Sequence, residues 1–164
     1  MIISMKKQYT ICVVHQDSRI LLGLKKKGFG IGRWNGFGGK VESGENIEEA
    51  ALRELREEAG LTALDMTKRG VIDFAFENDP KTLEVHIFSA TKFQGKPLES
   101  DEMSPKWFDI KAIPFEQMWS DDIHWLPMLL SEKLFKGNFL FDRPSDATYS
   151  AKIIKMELKE VKEI

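Results

Sequence analysis

Apolar and polar positions alternate in short runs along much of this chain, and in two stretches they switch to a helical period. Tyr9 to His15 is rich in β-formers, Gln16-Asp17-Ser18 is turn-like and Arg19 to Leu24 is apolar again, which predicts an opening hairpin. Val71 to Phe76 alternates, Leu83 to Phe93 is a further strand candidate, and Asn78-Asp79-Pro80-Lys81 between them reads as a turn. Asn46 to Ala59 is rich in Glu, Ala, Leu and Arg and is followed by Gly60, where a left-handed C-cap residue is expected, so it predicts a helix. A second helix is predicted over Ile123 to Phe135, where Trp125, Leu126, Leu129, Leu130 and Leu134 recur at helical spacing, with Pro127 near its first turn. Phe139 to Phe141 and Tyr149 to Leu158 are expected to close the sheet. The fold class is mixed α/β (α+β), with sheet material on both sides of the first helix in sequence.

At 164 residues, 42% hydrophobic and 30% charged, the chain can bury one substantial core, and a single domain over residues 1–164 is expected. The formal net charge of −2 supplies no cationic field, so neither a nucleic-acid polymer nor a membrane surface is favoured as partner, and a monomer is expected. Met1 to Lys7 has no apolar run of leader length, and no later run approaches a membrane span. The single Cys12 lies in the apolar run Ile11 to Val14 and reads as a buried core residue in a reducing, cytoplasmic setting. His15, His86 and His124 lack zinc-site spacing, and no serine nucleophile elbow is present.

Two features point to chemistry. From Lys25 to Lys40 the chain carries glycines at 28, 30, 32, 36, 38 and 39, a composition for backbone held in unusual conformations close to something. Within the first helix, Glu54, Glu57 and Glu58 stand at i, i+3 and i+4, so three carboxylates project from one face. Like charges at these spacings repel by a few tenths of a kcal/mol per pair, and a divalent cation would reverse that sign. The competing reading is a solvated charged helix in which Arg53 pairs with Glu57; on the helix alone the two are evenly matched.

Its neighbours decide between them. Gly39, then Glu45, then Arg53-Glu54-Leu55-Arg56-Glu57-Glu58-Ala59-Gly60-Leu61 follow at the spacing of the Nudix box, and the chain resembles that family without a departure in the box. The resemblance implies a Nudix fold, a mixed β-sheet sandwiched between helices, and Mg²⁺-dependent hydrolysis of a nucleoside diphosphate linked to another group, with Mn²⁺ as a substitute metal. It implies metal ligands at Glu54, Glu57 and Glu58 and the Gly38 carbonyl, with Glu57 or Glu58 taking a proton from the attacking water. Arg53 and Glu45 read as supports that hold the ligands in place.

The segment Gly28 to Val41, Glu99 to Met103 and Met118 to Asp122 are similar to the animal MutT-type branch of the family, which sanitises oxidised purine nucleotides. By that likeness the base pocket would hold Asn35, Asp121 and Asp122 as hydrogen-bonding groups, with Thr10, Phe29, Phe74 and Trp119 around them. Glu102 would be a further carboxylate near the metal, and Lys25 is carried as a nucleotide contact. A carboxamide offers donor and acceptor edges, and two adjacent aspartates sharing a proton could offer either, so one pocket could read 8-oxo-dGTP and 2-hydroxy-dATP. Each has a plainer rival: Asp121-Asp122 could simply begin a helix and Trp119 could be core. Departures from that branch lie at Ile31, which replaces a smaller residue, and over Arg143 to Ile164, which follows it loosely.

Overall fold

The opening hairpin is present and longer than its apolar run. In the computed structural model, which describes residues 5–164, strand β1 (Met5–Gln16) turns at Asp17-Ser18 into β2 (Arg19–Lys25). Of the stretch read for a leader, residues 1–4 lie outside the described residues and the rest opens β1. The chain continues through β3 (Trp34–Asn35), helix α1 (Ile47–Ala59), β4 (Thr62–Ala63), β5 (Thr67–Phe76) and β6 (Lys81–Ala90). It ends with β7 (Phe93–Gln94), β8 (Met103–Asp109), helix α2 (Asp122–Leu130), β9 (Leu134–Phe141) and β10 (Ile153–Val161).

The main sheet runs β10-β9-β5-β6-β1-β2-β3, with β8 also paired to β2. It is mixed: β1 and β6, and likewise β5 and β9, are parallel, whereas the other pairs are antiparallel. Alternation along β1 assigns its two faces. Cys12 and Val14 pack with Leu55 and Ala59 of α1, whereas Val13 packs with Trp125 and Leu126 of α2. A sheet sandwiched between helices is therefore what the alternating pattern builds. Cys12 is fully buried, and burial pushes its thiol up to about 12, which makes it an inert core residue.

Helix α1 is specified at both ends. Asn46 accepts from Glu49 N at 2.8 Å while Glu49 accepts from Asn46 N at 3.1 Å, a capping box. Gly60 closes the other end at φ 71°, a conformation costly for any residue with a Cβ, and donates its N–H to the Arg56 carbonyl at 3.0 Å.

Several predicted boundaries move. The second helix stops at Leu130 instead of Phe135, because Glu132 takes φ 59° and Leu134 and Phe135 enter β9, where Phe135, Phe139 and Phe141 point inward at the period of a strand. Pro127 is the sixth residue of that helix, past its first turn. Strand β6 ends at Ala90 because the Asp65 carboxylate accepts from Thr91 N and Lys92 N, both at 2.9 Å, and draws the chain out of the sheet. The closing strand begins at Ile153, not Tyr149. Strand β8 has no counterpart among the predicted elements: Pro105 argues against a central strand, and β8 lies off the main path of the sheet, paired to β2, where proline is tolerated. Among the described residues, no helix is long and apolar enough to cross a membrane.

Candidate active site

Strand β2 pairs with β1 only over Val14 to Gln16, which leaves Met5 to Val13 of β1 without β2 on that side. The glycine-rich segment fills the gap. Cys12 N donates to the Phe37 carbonyl at 2.6 Å, Phe37 N to the Cys12 carbonyl at 3.0 Å and Thr10 N to the Gly39 carbonyl at 2.9 Å. A Cβ on Gly38 would collide with the Thr10 carbonyl, and one on Gly39 would lie 2.6 Å from Glu54 Oε1. Glycine is required at 38, where backbone lies against backbone, and at 39 its lack of a Cβ leaves room for the Glu54 carboxylate.

The three glutamates of α1 occupy one face but unequal environments. Glu58 is buried, 3% exposed, and Gly38 N donates to its Oε1 at 2.8 Å. The Glu54 side chain is 14% exposed and that of Glu57 is 57% exposed. Arg53 joins the set: it grips both oxygens of Glu45, at 2.7 and 3.0 Å, and donates to Glu54 at 2.8 Å and Glu57 at 3.2 Å. The Arg53 hydrogen bonds, with one from Glu42 N, hold the Glu45 carboxyl down to about 2. Contacts of Arg53 with Glu45, with Glu54 and with Glu57 are thus all present in one network.

Among the described residues, no three acidic, histidine or cysteine side chains converge closely enough to hold an ion as they stand. Glu54 and Glu57 accept from Arg53, and Glu58 accepts from Gly38 N. Their chemistry nonetheless fits a hard divalent cation, which takes oxygen ligands and keeps several waters. Burial, then the charge of Glu54, pushes the Glu58 carboxyl up to about 8, and burial raises that of Glu54. Two carboxyls whose charged forms are this poorly compensated are stabilised by a cation between them. Glu102 belongs to the same field: its charge acts on Glu54 and Glu58, and its side chain pairs with Lys25 Nζ at 3.3 Å.

Beside this cluster opens a cavity of about 640 Å³, of the size that takes a nucleotide-like ligand. Thr10, Lys25, Phe29, Asn35, Gly38, Glu58 and Trp119 line it, so the structure brings these expected residues together on one continuous wall. The buried Thr10 Oγ1 has no hydrogen-bond partner, and Phe29 stacks on Trp119 with ring centroids 5.2 Å apart.

Three expected pocket residues are not among those lining the cavity. Phe74 is drawn into the core, 5.5 Å from the Phe139 ring and 6.3 Å from that of Phe141, and Phe76, two residues along on the same strand face, lines the cavity instead. Asp121 and Asp122 are buried at the start of α2, where Asp121 accepts from Trp125 Nε1 at 2.8 Å. Burial raises both carboxyls, Asp122 well above the usual range because the Asp121 charge adds to it. They begin a helix, as the plainer reading held, yet without a capping bond and without solvent. Other walls were unforeseen. Tyr9 and Leu83 carry only the ordinary alternation of strands, and Pro144 and Ser145 come from a stretch with no motif.

A model of the NUDIX domain matches residues 5–129. The chain is 56% identical over 135 residues to an oxidized purine nucleoside triphosphate hydrolase of Danio rerio, covering 82% of this chain and 86% of that relative. It is 51% identical over 148 residues to the protein of that name from Mus musculus, covering 90% and 95% of the two chains. Among solved structures, a mutator MutT protein of Bacillus halodurans matches with a TM-score of 0.78 at 26% identity, over 93% of this chain and 97% of its own.

Proposed function

The chain belongs to the Nudix family, and from that premise we propose that it hydrolyses oxidised purine nucleoside triphosphates, 8-oxo-dGTP and 2-hydroxy-dATP, to the monophosphate and pyrophosphate. The observation that carries this reading is the shared wall: Gly38 and Glu58 belong both to the carboxylate cluster and to a cavity that also presents Asn35, Thr10 and aromatic rings. A base seated there places its phosphates against the glutamates. Two relatives that share more than half of the residues aligned with this chain bear the name of that activity.

Nudix hydrolases use a divalent metal; here we assign Mg²⁺, with Mn²⁺ as its substitute, to Glu54, Glu57, Glu58 and the Gly38 carbonyl, with Glu102 nearby. When bound, the cation neutralises charge developing on the phosphate chain and makes a water nucleophilic. The chain's own residues do the rest. Arg53, gripped by Glu45, holds Glu54 and Glu57 in position, and Glu57 or Glu58 accepts the proton of the attacking water. Lys25 meets a phosphate. Asn35 offers donor and acceptor edges to the base, and the stacked Phe29–Trp119 pair lies beside it. Asp121 and Asp122, two buried neighbours with raised carboxyls at the start of α2, are assigned to the base pocket, where a proton shared between them would let it match either donor pattern.

We read residues 1–164 as one domain, because β9 and β10, beyond the matched residues 5–129, lie in the same sheet as β5. A cytoplasmic monomer acting on a small nucleotide, with no polymer or membrane partner, fits the near-neutral charge and the single buried cysteine.

The test is pyrophosphate release with Mg²⁺ from 8-oxo-dGTP, 2-hydroxy-dATP, dGTP, dATP, ADP-ribose and a diadenosine polyphosphate, with phosphate products assayed separately for the last two. The oxidised triphosphates are expected to dominate in kcat/KM. Equal turnover of dGTP and 8-oxo-dGTP removes the base-pocket assignment. Preference for ADP-ribose or the dinucleotide keeps the metal site and replaces the substrate.

A further inference from the structure

The cavity has a wall that no motif announces. Residues 142–152, between β9 and β10, form a loop pinned at its base, where Asp142 N donates to the Lys152 carbonyl and Lys152 N to the Asp142 carboxylate, each at 2.9 Å. Within it, Thr148 N donates to Asp146 at 2.9 Å and Arg143 to Ser150 Oγ at 2.5 Å. Pro144 and Ser145 of this loop stand in the cavity wall beside Phe29 and Trp119.

One side chain joins the loop to the rest of the pocket. The Tyr149 hydroxyl donates to the Ile31 carbonyl at 2.6 Å, the Arg33 guanidinium lies 4.3 Å above its ring, and its ring meets Trp119 edge-on at 5.3 Å and 83°. Arg33 donates in turn to the carbonyls of Glu116 at 3.1 Å and Met118 at 3.4 Å, just ahead of Trp119. Phe29, Trp119, Tyr149 and Arg33 thus form one connected stack that spans three segments distant in sequence. Tyr149 also sits at φ 52°, a region that bulky residues avoid, and such a residue persists only where its surroundings impose it.

We propose that Tyr149 is a positioning residue: it latches the 142–152 loop onto Trp119 and the glycine loop, so that the base pocket stands ready-formed before the nucleotide arrives. The proposal rests on reading this cavity as the nucleotide site. The latched glycine loop carries Gly28, Gly30 and Gly32, all at positive φ, and freeing it means that binding must order it again. That cost falls on nucleotide binding. The glutamates lie on α1, held by Arg53 and Gly38, and the latch touches none of them. Loss of Tyr149 therefore weakens binding and base discrimination while leaving the chemical step in place.

The experiment uses the full chain with Tyr149→Ala and Tyr149→Phe, the second keeping the ring and losing only the hydroxyl. Steady-state kinetics on 8-oxo-dGTP and dGTP are paired with hydrogen exchange of residues 28–34 in the nucleotide-free protein. For Tyr149→Ala we expect KM for 8-oxo-dGTP to rise about tenfold with kcat within about twofold, and the preference over dGTP to shrink by a similar factor. Tyr149→Phe should raise KM about threefold, the effect of one net hydrogen bond. Exchange over 28–34 should rise in Tyr149→Ala while α1 keeps its protection. Unchanged KM and preference, or kcat falling together with protection across the whole sheet, overturns the proposal. The exchange measurement uses no substrate: should the unaltered protein fail to hydrolyse 8-oxo-dGTP, the nucleotide reading falls, and unchanged protection over 28–34 in Tyr149→Ala overturns the latch separately.

Discussion

Glu58 is a buried carboxylate whose one hydrogen bond, from Gly38 N, does not compensate the burial that pushes it up to about 8. A neutral side chain of the same shape is better suited to that place when no cation is present. Glu58→Gln keeps an acceptor for Gly38 N, so in Mg²⁺-free buffer its melting temperature should equal or exceed that of the unaltered protein. Added Mg²⁺ should then no longer raise the melting temperature, and turnover should fall on the order of 10² or more. A variant that melts lower without Mg²⁺, or still responds to it, would count against the assignment. These glutamates were legible in the sequence because helical spacing alone puts them on one face. Phe74 and Phe76 share a strand face too, but which of them reaches the cavity depends on how β9 packs against β5, and no local pattern encodes that. The burial of the aspartate pair was not legible: the Trp125 indole that holds Asp121 inward comes one helical turn later.

Helix α1 is closed by Gly60, where a C-cap is expected from the sequence, and begins one residue later than expected, with Asn46 as its N-cap. Asn46→Ala removes one half of the capping box and should cost about 1 kcal/mol, read as a lower urea midpoint at constant m-value. An unchanged midpoint would mean that tertiary packing of Ala51 and Leu55 alone holds the first turn. The second helix was overextended for a physical reason: Leu126, Leu130 and Leu134 satisfy a helical period while Phe135, Phe139 and Phe141 satisfy that of a strand, and the chain changes period between them. The glycine segment was legible as backbone pressed against something. What it presses against, β1 and Glu54, required the strand order.

At the scale of the whole molecule, a network on the sheet is one route by which acidity should act. Lys6 bridges Asp73 at 3.1 Å and Glu84 at 3.0 Å, and Glu84 also accepts from Gln8 at 3.0 Å and meets His86 Nε2 at 2.6 Å. The bond from Gln8, then those from Lys6 and His86, holds the Glu84 carboxyl down to about 2, against an ordinary 4.5. Its contribution to stability is therefore full above the ordinary value and is lost as pH falls from there toward 2. Burial lowers the His86 imidazole from 6.5, so folding favours its neutral form and a further part is lost just below that pH. Urea midpoints should fall between pH 7 and pH 3, and Glu84→Gln should flatten the lower part of that fall; an equal slope in the variant would exclude Glu84 as its source. The parallel pairings at the centre of the sheet carry a different consequence, one of time. Gly70 of β5 lies opposite Phe135 of β9, and Thr10 of β1 opposite His86 of β6, so contacts that close the core join residues far apart along the chain. Such a topology has a high contact order, and its folding is limited by the search for distant partners rather than by helix formation. During synthesis the capped helix can form early, but β5 stays an open edge until β9 has left the ribosome. Until then the backbone N–H and C=O groups along that edge of β5 are free to pair with another chain.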